Sequence, residues 1–196
     1  MLGEVFVNGT AAVLSDESEL VTRAVVDPAA FVAIYDQYFS RVYNYVRYRV
    51  GDAAAADDLT AQIFERTLTN LASYDSDKAP FGGWLFSIAR NLVSNYLRAQ
   101  KRRRWLSLEA VFNRPSDEPV PETAVIHHQT HAELLTAVSN LNERERDLIA
   151  LKFAVGMTNR HIARLTGLTE SNVGVILHRA VRKLRLELVK KECDDE

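Results

Sequence analysis

Gly156-Met-Thr-Asn-Arg-His-Ile-Ala-Arg-Leu-Thr-Gly167 runs directly into Leu168-Thr-Glu-Ser-Asn-Val-Gly-Val-Ile-Leu-His-Arg-Ala-Val-Arg-Lys-Leu184. Thr158 is placed to cap a short helix that buries Ile162, Ala163 and Leu165. Gly167 supplies the left-handed residue that a tight turn needs. Thr169 caps the helix that follows, and Ala163 is small where the two helices cross, against Val173 and Leu177. A short helix, a tight turn and a second helix form the layout that sets a helix into the major groove of DNA. At about 100° per residue, Val173, Ile176, Leu177, Ala180 and Leu184 gather on one side of the second helix. Ser171, Asn172, Val175, His178, Arg179 and Arg182 gather on the other. Arg179 and Arg182 suit guanine edges or phosphates, and Val175 a thymine methyl or a sugar edge. An amphipathic helix of an unrelated bundle shows the same two faces.

The charge distribution strengthens the nucleic-acid reading. The chain has 196 residues and a formal net charge of −2. That small number hides alternating blocks: −6 over residues 1–80, +6 over 81–105, −4 over 106–155, +6 over 156–191 and −4 over 192–196. Two basic blocks in an acidic chain suggest two contacts with a polyanion. One block covers the helix-turn-helix. The other covers a helical pattern from about Phe81 to Arg104. On the same wheel that helix buries Leu85, Ala89, Leu92, Val93 and Tyr96 and aligns Trp84, Asn91, Asn95, Arg98 and Arg102 opposite. An aromatic ring, two amides and two guanidinium groups on one face suit an unstacked strand: stacking, base-edge pairing and phosphate neutralisation. Lys101-Arg-Arg-Arg104 extends the stripe. The same residues also fit a core Trp and a basic helix end that favours the dipole.

Upstream of that helix, Asp27 and Pro28 open a helical stretch with Phe31, Ile34, Tyr35, Tyr38, Val42, Tyr45 and Val46 on one stripe. Gly51-Asp52 breaks it. A second helix, about Asp52 to Ala72, carries Leu59, Ile63, Phe64, Thr67, Leu68 and Leu71. Residues 73–80 read as a loop. Residues 107–130 hold Pro115, Pro119 and Pro121 among acids, which is the composition of a stiffened linker. Helical pattern resumes near His131 after that linker, and Asn142 caps a helix beginning Glu143-Arg-Glu-Arg-Asp-Leu-Ile149. No alternating strand pattern is sustained. The expected fold is all-α: two small helical domains joined by an acidic, proline-containing linker.

Composition narrows the function further. Hydrophobic residues make up 47% and charged residues 26%, a globular balance. The single cysteine, Cys193, excludes a disulfide framework and a Cys-based zinc finger, and its acidic neighbours disfavour a redox role. His127, His128 and His131 lack a fourth ligand and read as a solvated helix start; no metal and no cofactor is expected. No apolar run spans a membrane, and the first residues lack a basic n-region, so a reducing cytoplasmic compartment is expected. No phosphate loop, triad signature or small-molecule substrate site is visible, so an enzyme is not expected.

With both halves read, the chain resembles the sigma-70 family of bacterial transcription initiation factors, in size and plan its group IV, or extracytoplasmic function (ECF), class. The resemblance rests on Phe31–Val50, on Asp57-Asp-Leu-Thr-Ala-Gln-Ile-Phe64, on Gly83-Trp-Leu-Phe-Ser-Ile-Ala-Arg-Asn-Leu-Val-Ser-Asn-Tyr-Leu-Arg98 and on Leu141–Leu186 in that order. It implies a region 2-like helical bundle over 20–105 and a region 4-like helix-turn-helix domain over 131–191, while the residues themselves read as a flexible extension over 1–19, a linker over 106–130 and an acidic tail over 192–196. It implies core RNA polymerase as partner, through the beta-prime clamp and the beta flap, with Asp57, Asp58, Gln62, Glu65 and Arg66 docking on the clamp. It implies promoter DNA as the other partner. Tyr74, Lys78, Trp84, Arg90, Asn91, Asn95, Arg98, Lys101, Arg102 and Arg103 would hold the −10 element. Thr169, Ser171, Asn172, Val175, His178, Arg179, Arg182 and Lys183 would read the −35 element. An anti-sigma factor is a further implied partner. The chain departs from the family's habit at Ala61-Gln62, where a Gln-Glu pair is usual, and at Gly174-Val175-Ile176. From the residues alone, a stand-alone helix-turn-helix regulator and a sigma-like protein that sequesters an anti-sigma factor stay open.

Overall fold

The computed structural model describes residues 19–107 and 134–194, all of whose regular structure is helical. Helix α1 covers 19–26. A 3-10 turn at Pro28–Ala30, capped by the Asp27 carboxylate on the Ala29 N–H (2.9 Å), leads into α2, Phe31–Val50. Gly51 ends α2 at φ 78°, a left-handed conformation that glycine takes without steric penalty. Asp52 caps α3, Ala53–Asn70, by accepting from the Ala55 N–H at 2.7 Å. Helix α4 runs Phe81–Ser107, three residues past the expected Arg104. The expected extension over 1–19 falls almost wholly outside the described residues. Its last position already belongs to α1, which buries Val21 and Ala24.

The expected stripes form the core of this half. Ile34, Val42, Tyr45 and Val46 of α2 pack with Leu59 and Ile63 of α3 and with Leu85, Phe86, Ala89 and Val93 of α4. Spacings of three and four put these side chains on one helix face each. Tyr35 and Leu68, expected on the stripes, are partly solvent-exposed.

In the second half, α5 covers 134–139. Asn142 and Glu145 form a reciprocal capping box for α6, Glu143–Ile149, which continues as a π-helical turn, Ala150–Ala154. Thr158 caps α7, Asn159–Thr166, on the His161 N–H. Gly167 sits at φ 73°, as its place in the turn requires. Thr169 accepts from the Asn172 N–H (3.2 Å) at the start of α8, Glu170–Asp194. Ile162, Ala163, Val173, Leu177, Ala180 and Leu184 close the helix-turn-helix core. Gly174 lies inside α8, where a Cβ would sit 3.8 Å from the Asn159 Nδ2, an ordinary contact. Gly174→Ala should therefore stabilise the chain by about 0.5–1 kcal/mol through helix propensity alone, read as a rise in the thermal midpoint.

The two halves share one continuous apolar core. Helix α2 lies against α6 and its π-turn, and the start of α4 lies against α7. The linker, His127, His128 and His131 lie outside the described residues.

Candidate nucleic-acid interface

The face expected to read duplex DNA is on the outside of α8. Thr169, Ser171, Asn172, His178, Arg179 and Arg182 are exposed, and Val175 is 45% exposed. The opposite face of the same helix is buried, so the core fixes which side chains point outward. The Thr169 hydroxyl is engaged in capping. Lys183 is the outlier: its Nζ donates to Glu145 Oε1 at 2.6 Å, so the cation is anchored to α6 rather than projected freely.

The second interface centres on α4. Trp84 is half-buried and packs against Tyr74 and Phe81, with ring centroids 5.3 and 5.6 Å apart. Beside it lies a polar cleft of about 410 Å³ whose walls include Arg66, Asn70, Trp84, Asn91 and Asn95. Amides and a guanidinium beside an indole face are the groups that suit an unstacked base. Arg98 donates to the Ser94 carbonyl (3.2 Å) and to Asn95 Oδ1 (2.8 Å), which leaves the Asn95 amide nitrogen to donate outward. Lys101, Arg102 and Arg103 continue along the helix, all exposed. Arg66, which the resemblance placed with the polymerase contacts, stands on this cleft, and Asn70 beside it was missed. Both occupy the helix end facing α4, a placement that only the α3–α4 crossing reveals.

Three other expected contacts sit differently. The Tyr74 hydroxyl donates to the Ala79 carbonyl at 3.0 Å, so this ring buttresses the loop and Trp84. Lys78 pairs with Asp75 at 2.9 Å; that bond holds the Asp75 carboxyl below its usual range and the lysine above its own. Arg90 is turned away from the DNA-facing side. Its Nε donates to Asp147 Oδ2 at 2.7 Å and its Nη1 to the Leu165 carbonyl at 3.2 Å, both in the other half of the chain.

The expected polymerase-docking residues Asp57, Asp58, Gln62 and Glu65 are all exposed on α3. Asp58 and Gln62 border a groove of about 450 Å³ with Tyr96 of α4. Leu59 and Ile63, between them in sequence, point into the core, which holds this acidic face in register.

The model of Sigma-70 region 2 matches residues 34–103, and that of Sigma-70 region 4 matches residues 131–184. The ECF RNA polymerase sigma factor BldN of Streptomyces coelicolor is 36% identical over 167 residues, 85% of this chain and 63% of the relative. The chain thus spans less than two thirds of that relative's length. The ECF sigma factor SigD of Mycobacterium tuberculosis is 30% identical over 152 residues, 76% of this chain and 72% of that protein. SigX of Bacillus subtilis, also an ECF sigma factor, is 26% identical over 85% of this chain and 88% of its own. In fold, the chain is similar to CnrH solved in complex with the cytosolic domain of CnrY. That match has a TM-score of 0.68 and 22% identity and covers 89% of this chain and 97% of CnrH. It is also similar to RpoE of Bartonella quintana in complex with the anti-sigma factor NepR, with a TM-score of 0.66, 18% identity and coverage of 81% and 96%. Among the described residues, no helix is long and apolar enough to cross a membrane.

Proposed function

The chain belongs to the ECF class of the sigma-70 family of RNA polymerase sigma factors, and on that footing we propose that it directs core polymerase to promoters carrying a −35 and a −10 element and assists their melting. The observation that carries this reading is the coexistence of two different nucleic-acid faces on one chain. The outer face of α8 suits duplex DNA read in the major groove. The Trp84 cleft, flanked by Asn91, Asn95 and Arg98, suits a single unstacked strand. A regulator that binds only duplex DNA has no use for the second face. Promoter opening needs both.

In the proposed division of labour, the α2–α4 bundle engages polymerase and the −10 strand, and the α5–α8 unit engages the −35 duplex. The exposed Asp57, Asp58, Gln62 and Glu65 of α3 meet the polymerase clamp. The α4 cluster neutralises and stacks the non-template strand. Sigma factors are initiation factors, so the chemistry of RNA synthesis is left to the polymerase and no residue here is assigned a catalytic role. We place the chain in the cytoplasm with polymerase and promoter, and we include an anti-sigma factor among its partners. The two similar solved chains are bound to such proteins or to a cytosolic fragment.

Co-elution of the purified chain with core RNA polymerase at moderate salt tests the reading. A stable complex is expected. DNA binding without polymerase binding would instead make the chain a stand-alone regulator. A finer expectation concerns α8. Arg179→Ala should weaken binding to a −35 duplex by about 1–3 kcal/mol if Arg179 reads a base, with the loss confined to one position of the site. A uniform loss across sequences, with a salt slope lower by about one, would place Arg179 on a phosphate instead.

A further inference from the structure

One cavity is not explained by either nucleic-acid face, although Trp84 walls it as well as the −10 cleft. It measures about 540 Å³ and lies where the loop before α4 and the first turns of α4 meet α7. That is the size of a pocket for a small organic ligand. Its lining divides into two kinds of chemistry. Tyr38, Pro80, Trp84, Met157 and Leu165 supply aromatic and apolar surface. Arg41, Lys78, His161 and Arg164 supply positive or protonatable nitrogen, and no acidic side chain lines the cavity.

The four nitrogen groups differ in how far they are already engaged. Lys78 is paired with Asp75 at 2.9 Å and adds little. Arg41 is held in place: its Nε donates to the Val155 carbonyl at 3.0 Å, and its guanidinium carbon lies 5.3 Å from the Tyr38 ring centroid and 5.9 Å from that of Phe86. Those contacts fix the plane of the guanidinium and leave its Nη donors for a ligand. Among the described residues, Arg164 and the His161 ring have no hydrogen bond or ion pair. They stand three residues apart on α7 and so share a face. Two guanidinium groups with no carboxylate between them attract an anion that carries more than one charge. An indole and a thioether beside them suit a planar ring. Gly83 adds room: it lines the cavity, and a Cβ at this position would have no neighbour within 4 Å.

We propose that this cavity is a binding site for a nucleoside diphosphate, with the phosphates on Arg41 and Arg164 and the base against Trp84 and Met157. The volume favours one free nucleotide over a run of several. The site goes beyond the sigma reading, and its test needs neither polymerase nor promoter. Calorimetric titration of the full chain with ADP, and separately with GDP, reads it. At least one of them should bind one-to-one with a Kd below about 1 mM. The corresponding nucleoside and inorganic pyrophosphate each carry half of the ligand, and each should bind at least about tenfold more weakly. Arg164→Ala should weaken the nucleotide about tenfold or more, the loss of one charge-assisted hydrogen bond. Arg185→Ala removes an exposed cation of α8 that does not line the cavity, and should leave the affinity unchanged. Gly83→Leu fills the cavity from α4 and should abolish binding with helical content retained. No binding of either nucleotide below 1 mM, or wild-type affinity in both Arg164→Ala and Gly83→Leu, would overturn the site. Equal losses in Arg164→Ala and Arg185→Ala would overturn it too, by reducing the attraction to general charge. Pyrophosphate that binds as tightly as the nucleotide would overturn the assignment of the ring. A single-stranded pentanucleotide that displaces the nucleotide with higher affinity would make the cavity part of a strand path instead.

Discussion

Replacing Arg98 and Arg102 together by alanine should abolish promoter opening while leaving polymerase binding intact. Both side chains are exposed on α4 and lie one turn apart, next to Asn95 and the Trp84 cleft. Arg98 is held along the helix by the Ser94 carbonyl and Asn95 Oδ1, so its charge is presented in a fixed place. Removing two phosphate contacts from a single strand lowers the salt slope of binding by about 1.4. The same substitution releases Asn95 Oδ1 from the Arg98 guanidinium and loosens the amide that would pair with a base edge. Both arginines are exposed, so the melting temperature of the protein should move by no more than about 2–4 °C, since surface changes of this kind each fall within about 0.5 kcal/mol. Permanganate footprinting of a promoter with reconstituted polymerase reads the effect: reactive thymines are expected with the wild type and none with the double variant. Reactivity equal to wild type would remove this face from the melting mechanism.

Trp84→Ala should produce the second large loss. An aromatic platform contributes about 1–3 kcal/mol per stacked base, so open-complex formation should fall by roughly five- to 150-fold. The indole is half-buried against Tyr74 and Phe81, and its removal also loosens the loop that Tyr74 braces through the Ala79 carbonyl. Trp84→Phe separates the two effects. It keeps a ring on Tyr74 and Phe81 and should recover most of the stability, but it restores opening only in part because its stacking area is smaller. Equal opening by Trp84→Ala and the wild type, with the fold intact, would make Trp84 a packing residue only.

The parts of the fold that were legible are those decided locally. Asp27, Asn142, Thr158 and Thr169 each cap the helical turn that their spacing announced, because a cap needs only a side-chain oxygen and an N–H two or three residues on. Gly51 and Gly167 fall at left-handed positions for the same local reason. The outward face of α8 followed from the 3.6-residue period and a single buried side. The polar contact between the two halves was not legible in this way. Tyr45 and Asp147 are 102 positions apart, and Arg90 and Asp147 are 57 apart. Three of the acceptors are the backbone carbonyls of Glu143, Val155 and Leu165, which no residue type advertises. One signal was present. Arg49 continues the stripe of Val42, Tyr45 and Val46 by another turn, and a charge at a core position demands a buried counter-charge. Arg90 was assigned to DNA because it lies within a basic block; only the packing of α4 against α7 shows what it faces.

Run-off transcription tests promoter-specific initiation most directly. Core polymerase reconstituted with the full chain is incubated with fragmented bacterial genomic DNA, and the 5′ ends of the transcripts are mapped. Discrete start sites absent with core polymerase alone are expected, each preceded by two shared motifs near −10 and −35. Transcripts no more abundant or specific than those of core polymerase alone, despite a stable complex, would contradict it.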